Sequence, residues 1–339
     1  MITPAAESEL EEVAHFLRTV FAVGEDYRMF QPDVLRWKCL VPHPFWEGSR
    51  GYILRHKGAI AAFGCVVPCR FLNAAESVPS CDVIDWAASK AVPGAGAMLY
   101  RHVQRLAGTM INIGGTAKAR AVLPRMGFDL REQRYTYTRV LRPWHHFAAR
   151  PKDWKAPWRL ARDYGELAFP LRAGAQSLTT RRVDSFQGVA AETFPDPAVT
   201  GQVVCARTPQ LLDYFLACPA ARMEAWLLEH AERPAGYIVL SRVGGECRIA
   251  DLWLRSAEAH LWASAYNAAA TAALRDHATT EVTAAASVSL PMEALRQAGY
   301  RKISIEPVFV RDPGGLLRGR NDLALSLAEN DAFYWSLTR

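Results

Sequence analysis

The feature that most constrains this chain is an internal repeat. Pro32-Asp33-Val34-Leu35-Arg36-Trp37 is followed by Pro42, and Pro209-Gln210-Leu211-Leu212-Asp213-Tyr214 by Pro219. Proline, leucine, an aromatic residue and a second proline recur at one spacing. Proline in the first turn and proline past the end bracket a short amphipathic helix in each half. A hairpin pattern follows each helix: Tyr52–His56, a Lys57-Gly58 turn and Ile60–Val67, then Trp226–His230, Arg233-Pro234 and Gly236–Ser241. Next comes a strand that sets an Asp near a Trp, Asp82–Trp86 and Arg248–Trp253. Helical periodicity returns in 98–106 and in 261–274.

The halves converge again at their ends. Ala121–Gly127-Phe128 and Pro291–Gly299-Tyr300 each read as a helix stopped by glycine, with an aromatic folding back onto the core. Closing strands follow, 135–141 and 304–310. The repeated order is helix, hairpin, strand, helix, strand, helix, strands, which requires two similar α/β units. A length of 339 residues fits two domains at roughly 100–200 residues each. The expected division is an N-terminal unit at 1–142, a structured linker at 143–178, a C-terminal unit at 179–312 and a packed tail at 313–339. Phe333, Tyr334 and Trp335 would anchor that tail.

Composition narrows the function classes. The chain is 50% hydrophobic and 22% charged, as expected of a globular protein with real cores. No apolar run reaches the ~18 residues of a membrane span, and the N-terminus lacks a signal-peptide pattern. The expectation is a cytoplasmic protein, monomer or homodimer. The seven cysteines form no CxxC pair, and His145-His146 has no carboxylate or Cys at ligand spacing, so reduced buried thiols and no metal site are expected. A net charge of +6 suits an anionic ligand, but the basic residues are scattered, which argues against nucleic acid.

The chemistry concentrates in Trp86-Ala87-Ala88-Ser89-Lys90-Ala91-Val92-Pro93-Gly94-Ala95-Gly96-Ala97-Met98-Leu99. A strand runs into a small-residue turn that opens a helix. Small residues let backbone N–H groups converge, and the helix start adds its positive dipole end, a geometry suited to a pyrophosphate or to a simple tight turn. In the second half Arg255-Ser256-Ala257-Glu258-Ala259-His260-Leu261 has no glycine and places an acid at the same point. A like charge there opposes an anion, so the second unit reads as a scaffold or an acceptor platform.

The order of elements resembles the GNAT superfamily of acyl-CoA N-acyltransferases. That resemblance implies an α/β (α+β) fold of two tandem GNAT-like domains, each a mixed, mainly antiparallel sheet flanked by helices. The family pattern Arg/Gln-x-x-Gly-x-Gly/Ala is approximated by Pro93–Met98 or Ala91–Gly96, without the leading Arg or Gln. Gly127-Phe128 and Gly299-Tyr300 match the family's closing feature. Trp37-Lys38 and Ile113-Gly114-Gly115-Thr116 resemble a bacterial subgroup, some members of which appear with surface-polysaccharide genes. The implied co-substrate is acetyl-CoA or another acyl-CoA, held by Ala87, Ala88, Pro93, Gly94, Ala95, Gly96, Ala97, Gly115 and Thr116.

The acceptor implied is an amine of a small molecule or sugar, with Trp37, Phe63 and Trp86 as candidate pocket residues. Asp85 is the expected catalytic base, with Asp82 as alternative. The family's acidic Tyr, four residues before the closing Gly, is replaced by Leu123 and Leu295, which leaves Tyr100 and Tyr135 as candidate acids. Two other readings stay open. The architecture also resembles FemAB-like transferases, which would use aminoacyl-tRNA, and a GNAT-like pair can be a non-catalytic binding protein.

Overall fold

The structure is a computed structural model and describes residues 1–73, 76–149, 153–167, 178–317, 320 and 322–334. The first unit opens with β1 (Ile2–Pro4), α1 (Leu10–Phe21) and α2 (Pro32–Cys39). It continues through β2 (Gly51–His56), β3 (Ala59–Leu72), β4 (Ser77–Ala88) and α3 (Ala95–Leu106). It closes with β5 (Thr109–Ile113), α4 (Ala117–Val122) and β6 (Asp129–Val140). Two bridge helices follow, α5 (Pro143–Ala149) and α6 (Ala156–Leu167).

The second unit starts with β7 (Leu178–Val183), the short α7 (Pro197–Thr200), β8 (Val203–Cys205) and α8 (Pro209–Leu216). Then come β9 (Arg222–His230), β10 (Arg233–Val243), β11 (Glu246–Leu254) and α9 (Ala259–Leu274). It ends with β12 (Glu281–Ala286), α10 (Ser289–Gln297) and β13 (Arg301–Arg311), and the tail adds β14 (Leu323–Ala324).

One sheet holds both units, in the order β1-β2-β3-β4-β5-β13-β6-β12-β11-β10-β9-β7. The halves of that order mirror each other about the β13–β6 pair. Each half contains an antiparallel hairpin, the Asp-Trp strand, and a parallel neighbour. The closing strands are exchanged. β6 of the first unit pairs with β12 of the second, and β13 of the second pairs with β5 of the first. The two then pair with one another, Tyr135 opposite Ile305. Neither half can complete its sheet alone.

Local sequence explains the elements. The β2–β3 hairpin turns on Lys57 and Gly58, both at positive φ (50° and 85°), and β9–β10 turns on Ala231 and Glu232, again both positive (49° and 63°). Such paired left-handed residues match the twist of the strands they join. α1 buries Leu10, Val13, Ala14 and Leu17, one face at helical spacing. Gly127 and Gly299, at φ 83° and 76°, end their helices as expected. The helix expected over 121–126 is divided: α4 stops at Val122 and a 3-10 turn, Leu123–Met126, replaces its end. Pro124 has no N–H to continue the α-helical ladder. All seven cysteines are free and buried.

The repeated aromatic residues meet. Trp37 on α2 stacks on Tyr214 on α8, with ring centroids 4.7 Å apart and planes 12° from parallel. Their hydrogen bonds are reciprocal: Trp37 Nε1 donates to the Tyr214 carbonyl and Tyr214 Oη to the Trp37 carbonyl, both at 3.1 Å. The tail covers this junction with Phe333 and Tyr334, both 2% exposed. Trp335, the third expected anchor, lies outside the described residues. The linker's Trp144, Trp154 and Trp158 are exposed.

Candidate functional site

Each unit contains a fork. β4 and β5 pair only at Ser80–Thr109 and Cys81–Met110, and β11 and β12 only from Glu246–Glu281 to Arg248–Thr283. Beyond those points the strands part, and their facing edges carry backbone groups with no ladder partner.

The first fork is built around a bulge. Phe63 pairs with Ala87 and Cys65 with Ile84, so Gly64 faces both Asp85 and Trp86. Asp85 sits at φ +51°, a conformation that costs a non-glycine residue energy. Its side chain is held in an ion pair with Lys38 of α2, Nζ to Oδ2 2.8 Å, with 1% and 7% of the two side chains exposed. Asp85 as a whole is only partly buried, so its backbone is what solvent reaches. Burial opposes the charge on Lys38, but Asp85 and Asp331 more than offset this, and the lysine holds its proton more tightly than usual.

Asp82 sits where the strands part. Its Oδ1 accepts from Val83 N at 2.7 Å and from Asn112 Nδ2 at 3.3 Å. Burial pushes its carboxyl up to about 8. Tyr100 of α3 is fully buried against Trp86 and Phe128, and burial raises its hydroxyl well above the ordinary value. The phenol therefore keeps its proton at any physiological pH.

The turn into α3 is only partly what the spacing suggests. Gly94 is the N-cap residue at φ +81°, no side chain caps the helix, and an added Cβ there would meet nothing within 4 Å. Ala95 N donates to the Val92 carbonyl at 3.2 Å, and the N–H groups of Gly96 and Ala97 are left for water or a ligand. Gly96 has a different reason: a Cβ would lie 3.1 Å from the Ala88 Cβ and 3.2 Å from Trp86 Nε1, which donates to the Gly96 carbonyl at 3.0 Å. Ala87 and Ala95 are buried packing positions, while Pro93 is exposed and Ala88 and Ala97 partly so. Gly115, at φ +81°, and Thr116, whose Oγ1 accepts from Ala119 N, follow β5. Because β4 and β5 are parallel, the 89–97 and 114–116 segments stand at the same mouth of the fork.

The candidate pocket aromatics do not gather. Trp37 lies at the junction of the units, Phe63 is fully buried in the core with Ala87, and Trp86 is packed toward α3. Tyr135 is far along the chain from Tyr100's helix and on the central ribbon, where it lines a groove of about 640 Å³ with Tyr137, Arg296 and Lys302. Lys302 Nζ stands 4.7 Å from its ring. His146, with no carboxylate at ligand spacing in sequence, has Asp163 3.1 Å away and Glu281 3.5 Å away in space.

The second fork repeats the buried cation–carboxylate theme. Arg207, just before α8, donates to Asp251 of β11 at 2.7 Å and also binds Glu329 of the tail. Tyr237 Oη donates to the same Asp251 oxygen at 2.7 Å. Two residues beyond Glu329, Asp331 joins the Lys38–Asp85 pair: burial, then the charge of Asp85, pushes its carboxyl up to about 6. Asn330 between them accepts from Arg134 at 3.2 Å. The tail thus sends one carboxylate to each unit. Sequence reading missed Lys38, Arg207, Glu329 and Asp331 as a set. Lys38 alone had a local signal, since helical spacing puts it on the same face as the buried Val34.

No family model matches the chain, and no curated protein does. Solved structures do match in fold. A GCN5-related N-acetyltransferase from Kribbella flavida aligns with 94% of this chain and 74% of its own, at TM-score 0.59 and 12% identity. One from Anabaena variabilis covers 91% and 72%, at 0.58 and 12%. Saccharomyces cerevisiae N-myristoyltransferase, solved with bound myristoyl-CoA, covers 92% and 80%, at 0.61 and 10%. Among the described residues no helix is long and apolar enough to cross a membrane. The mirrored sheet, the two forks and these structural likenesses agree: the chain has the GNAT fold, as two units sharing one sheet.

Proposed function

We propose that this protein is an acyl-CoA-dependent N-acyltransferase with its donor at the first fork. The observation that carries the proposal is the β4 bulge: a strained Asp85 backbone, open on the β5 side, leads directly into the uncapped start of α3. Of the proteins similar in fold, one is named an N-acetyltransferase and another is an N-myristoyltransferase with bound myristoyl-CoA, which supports an acyl-CoA donor here. The diphosphate of the donor would lie at the first turn of α3, around Gly94 and Ala97, with Lys90 of the same turn as an exposed counter-charge. Thr116 and Gly115 would close the other side of the mouth. The acceptor is an amine of a small molecule or sugar.

In this reading the amine nitrogen attacks the thioester carbonyl carbon, a C–N bond forms and the C–S bond breaks. The developing oxygen charge would be met by unpaired backbone N–H groups of the bulge. The nitrogen's proton passes to the Asp85–Asp331 pair around Lys38. Asp85 is tied to Lys38, and Asp331, with a carboxyl raised to about 6, is matched to the task. Tyr100, fully buried with its hydroxyl raised well above the ordinary value, is a poor acid for the sulfur, which leaves as a thiolate and takes its proton from water.

The test is acyl-CoA titration by thermal shift. A ligand at 100 times its Kd should stabilise the fold by about 2.7 kcal/mol. Ala97→Glu should lower that affinity about tenfold by repelling phosphate, while leaving the fold at least as stable, because an acid in the first helical turn suits the dipole. Absence of any shift with short or long acyl-CoA rejects the reading. An unchanged affinity in Ala97→Glu rejects the placement of the donor.

A further inference from the structure

We infer that the second fork is a binding site for a small ligand carrying a primary ammonium group and, beside it, an oxygen that can accept a hydrogen bond. The cleft between the parted β11 and β12 encloses about 60 Å³. At roughly 10–15 Å³ for each water-sized site, that is room for about four heavy atoms. Trp253, Trp262 and Tyr266 form its aromatic walls, and Ala284 and Ala285 keep the β12 side open.

Three charged residues line it: Asp251, Glu329 and Arg207. Their side chains are 6%, 1% and 4% exposed. Two carboxylates against one guanidinium leave one negative charge unbalanced. A buried charge without compensation is costly, and none of the other residues lining the cleft brings a second cation. A ligand ammonium supplies the missing charge, and the aromatic faces favour it further. Trp253 gives the second, independent observation. The residue lines the cleft, is 4% exposed, and its Nε1 has no hydrogen-bond partner among the described residues, whereas Trp262 Nε1 donates to the Ser256 carbonyl at 2.7 Å. An unpaired buried N–H on a lining residue calls for an acceptor oxygen. An anion would meet the excess negative charge, and a hydrocarbon would leave Trp253 unsatisfied.

The cleft adjoins the first fork through the tail: Glu329 belongs to this cluster and Asp331 to that of the first fork, and two residues of chain span at most about 7 Å. An ammonium held here keeps its proton and has no lone pair for the thioester, so the binding does not rest on the acyltransferase reading.

Three probes of four heavy atoms each separate the terms: ethanolamine, propylamine and ethylene glycol, titrated against the full chain by calorimetry and thermal shift. Ligands this small should bind in about the millimolar range at best. Ethanolamine should bind, propylamine about three- to tenfold more weakly for want of one hydrogen bond, and the neutral ethylene glycol not at all. Trp253→Phe should reduce ethanolamine to the affinity of propylamine and leave propylamine unchanged, while Ala284→Leu should abolish binding of both. Equal binding of ethylene glycol, an equal loss of both amines in Trp253→Phe, or no binding of either amine overturns the site. Acyl-CoA titration of the same protein keeps the failures apart. Stabilisation by acyl-CoA without amine binding rejects this site and spares the transferase reading, and the reverse pattern rejects the transferase reading and spares the site.

Discussion

The two forks are built alike and charged differently. In the first, the buried cation is a lysine, its partner Asp85 sits on a strained bulge, and the tail carboxylate Asp331 titrates near 6. In the second, the cation is an arginine, which stays charged at any accessible pH, and Glu329 is fixed further by Ser326 N and Oγ. The first cluster thus holds a carboxyl raised to about 6, and the second a guanidinium that keeps its charge. The repeat preserves a means of joining helix, strand and tail, with lysine in one copy and arginine in the other.

The largest effect expected from that difference is on stability. Arg207→Met leaves Asp251 and Glu329 buried without a counter-charge, and breaking such a pair costs about 3–5 kcal/mol. Lys38→Met strands Asp85 and Asp331, but Asp331 can take up a proton. Its cost should match that of Arg207→Met at pH 8 and fall clearly below it at pH 5. Urea denaturation of both variants at the two pH values measures this. Equal costs at pH 5 would mean that the two clusters are energetically the same.

A pH profile of the unmodified protein tests the same asymmetry. Asp82 and Asp331 have carboxyls raised to about 8 and about 6. A raised acid is still protonated in the folded state when the unfolded chain has ionised. Its favourable contribution is complete below the ordinary carboxylate range and is lost as pH rises toward the folded value. Stability should fall between about pH 4 and 8, each group adding a slope of at most about 1.4 kcal/mol per pH unit. Glu132, whose carboxyl burial also raises to about 8, shares the decline above pH 6, so Asp82→Asn should roughly halve it and Asp82→Asn with Glu132→Gln should remove it. A decline unchanged in the double variant would place the titrating groups elsewhere.

Catalysis should divide the two tail carboxylates. Asp331→Asn is expected to lower turnover at least 100-fold with acyl-CoA binding retained, the usual scale for loss of a general base. Glu329→Gln should weaken the fold and leave the pH dependence of turnover in place. If both variants lose turnover equally with unchanged pH profiles, the tail positions substrate and does not accept a proton.

Much of this architecture was legible because its signals are local. Proline brackets set α2 and α8, turn residues set the hairpins, and Gly127 and Gly299 stop their helices. The Gly94 turn was legible for the same reason, although Gly96 proved to be a packing contact with Trp86. What stayed hidden depends on residues distant in sequence. Nothing near β6 says that it crosses to β12, because its alternation would suit either neighbour. Asp251 reads as one half of an Asp-Trp strand, and its arginine and glutamate lie 44 residues before it and 78 after. Short strands such as β1 and β8 carry too few residues to show a period.

The smallest expected difference lies at the repeat itself. Thr208 Oγ1 accepts from Leu211 N at 3.1 Å and caps α8, whereas Gln31, at the same place before α2, makes no cap and donates instead to the Glu25 carbonyl. Thr208→Ala should cost about 1 kcal/mol, and Gln31→Thr should gain less than that, because it adds a cap and releases the tie to Glu25. Both positions precede a proline in the first turn and both have extended backbone, so the comparison isolates the side chain. Chemical denaturation of the two variants resolves a difference of this size. A Thr208→Ala protein as stable as the parent would show that Pro209 alone suffices to start α8, and that the cap missing from α2 costs the first unit nothing.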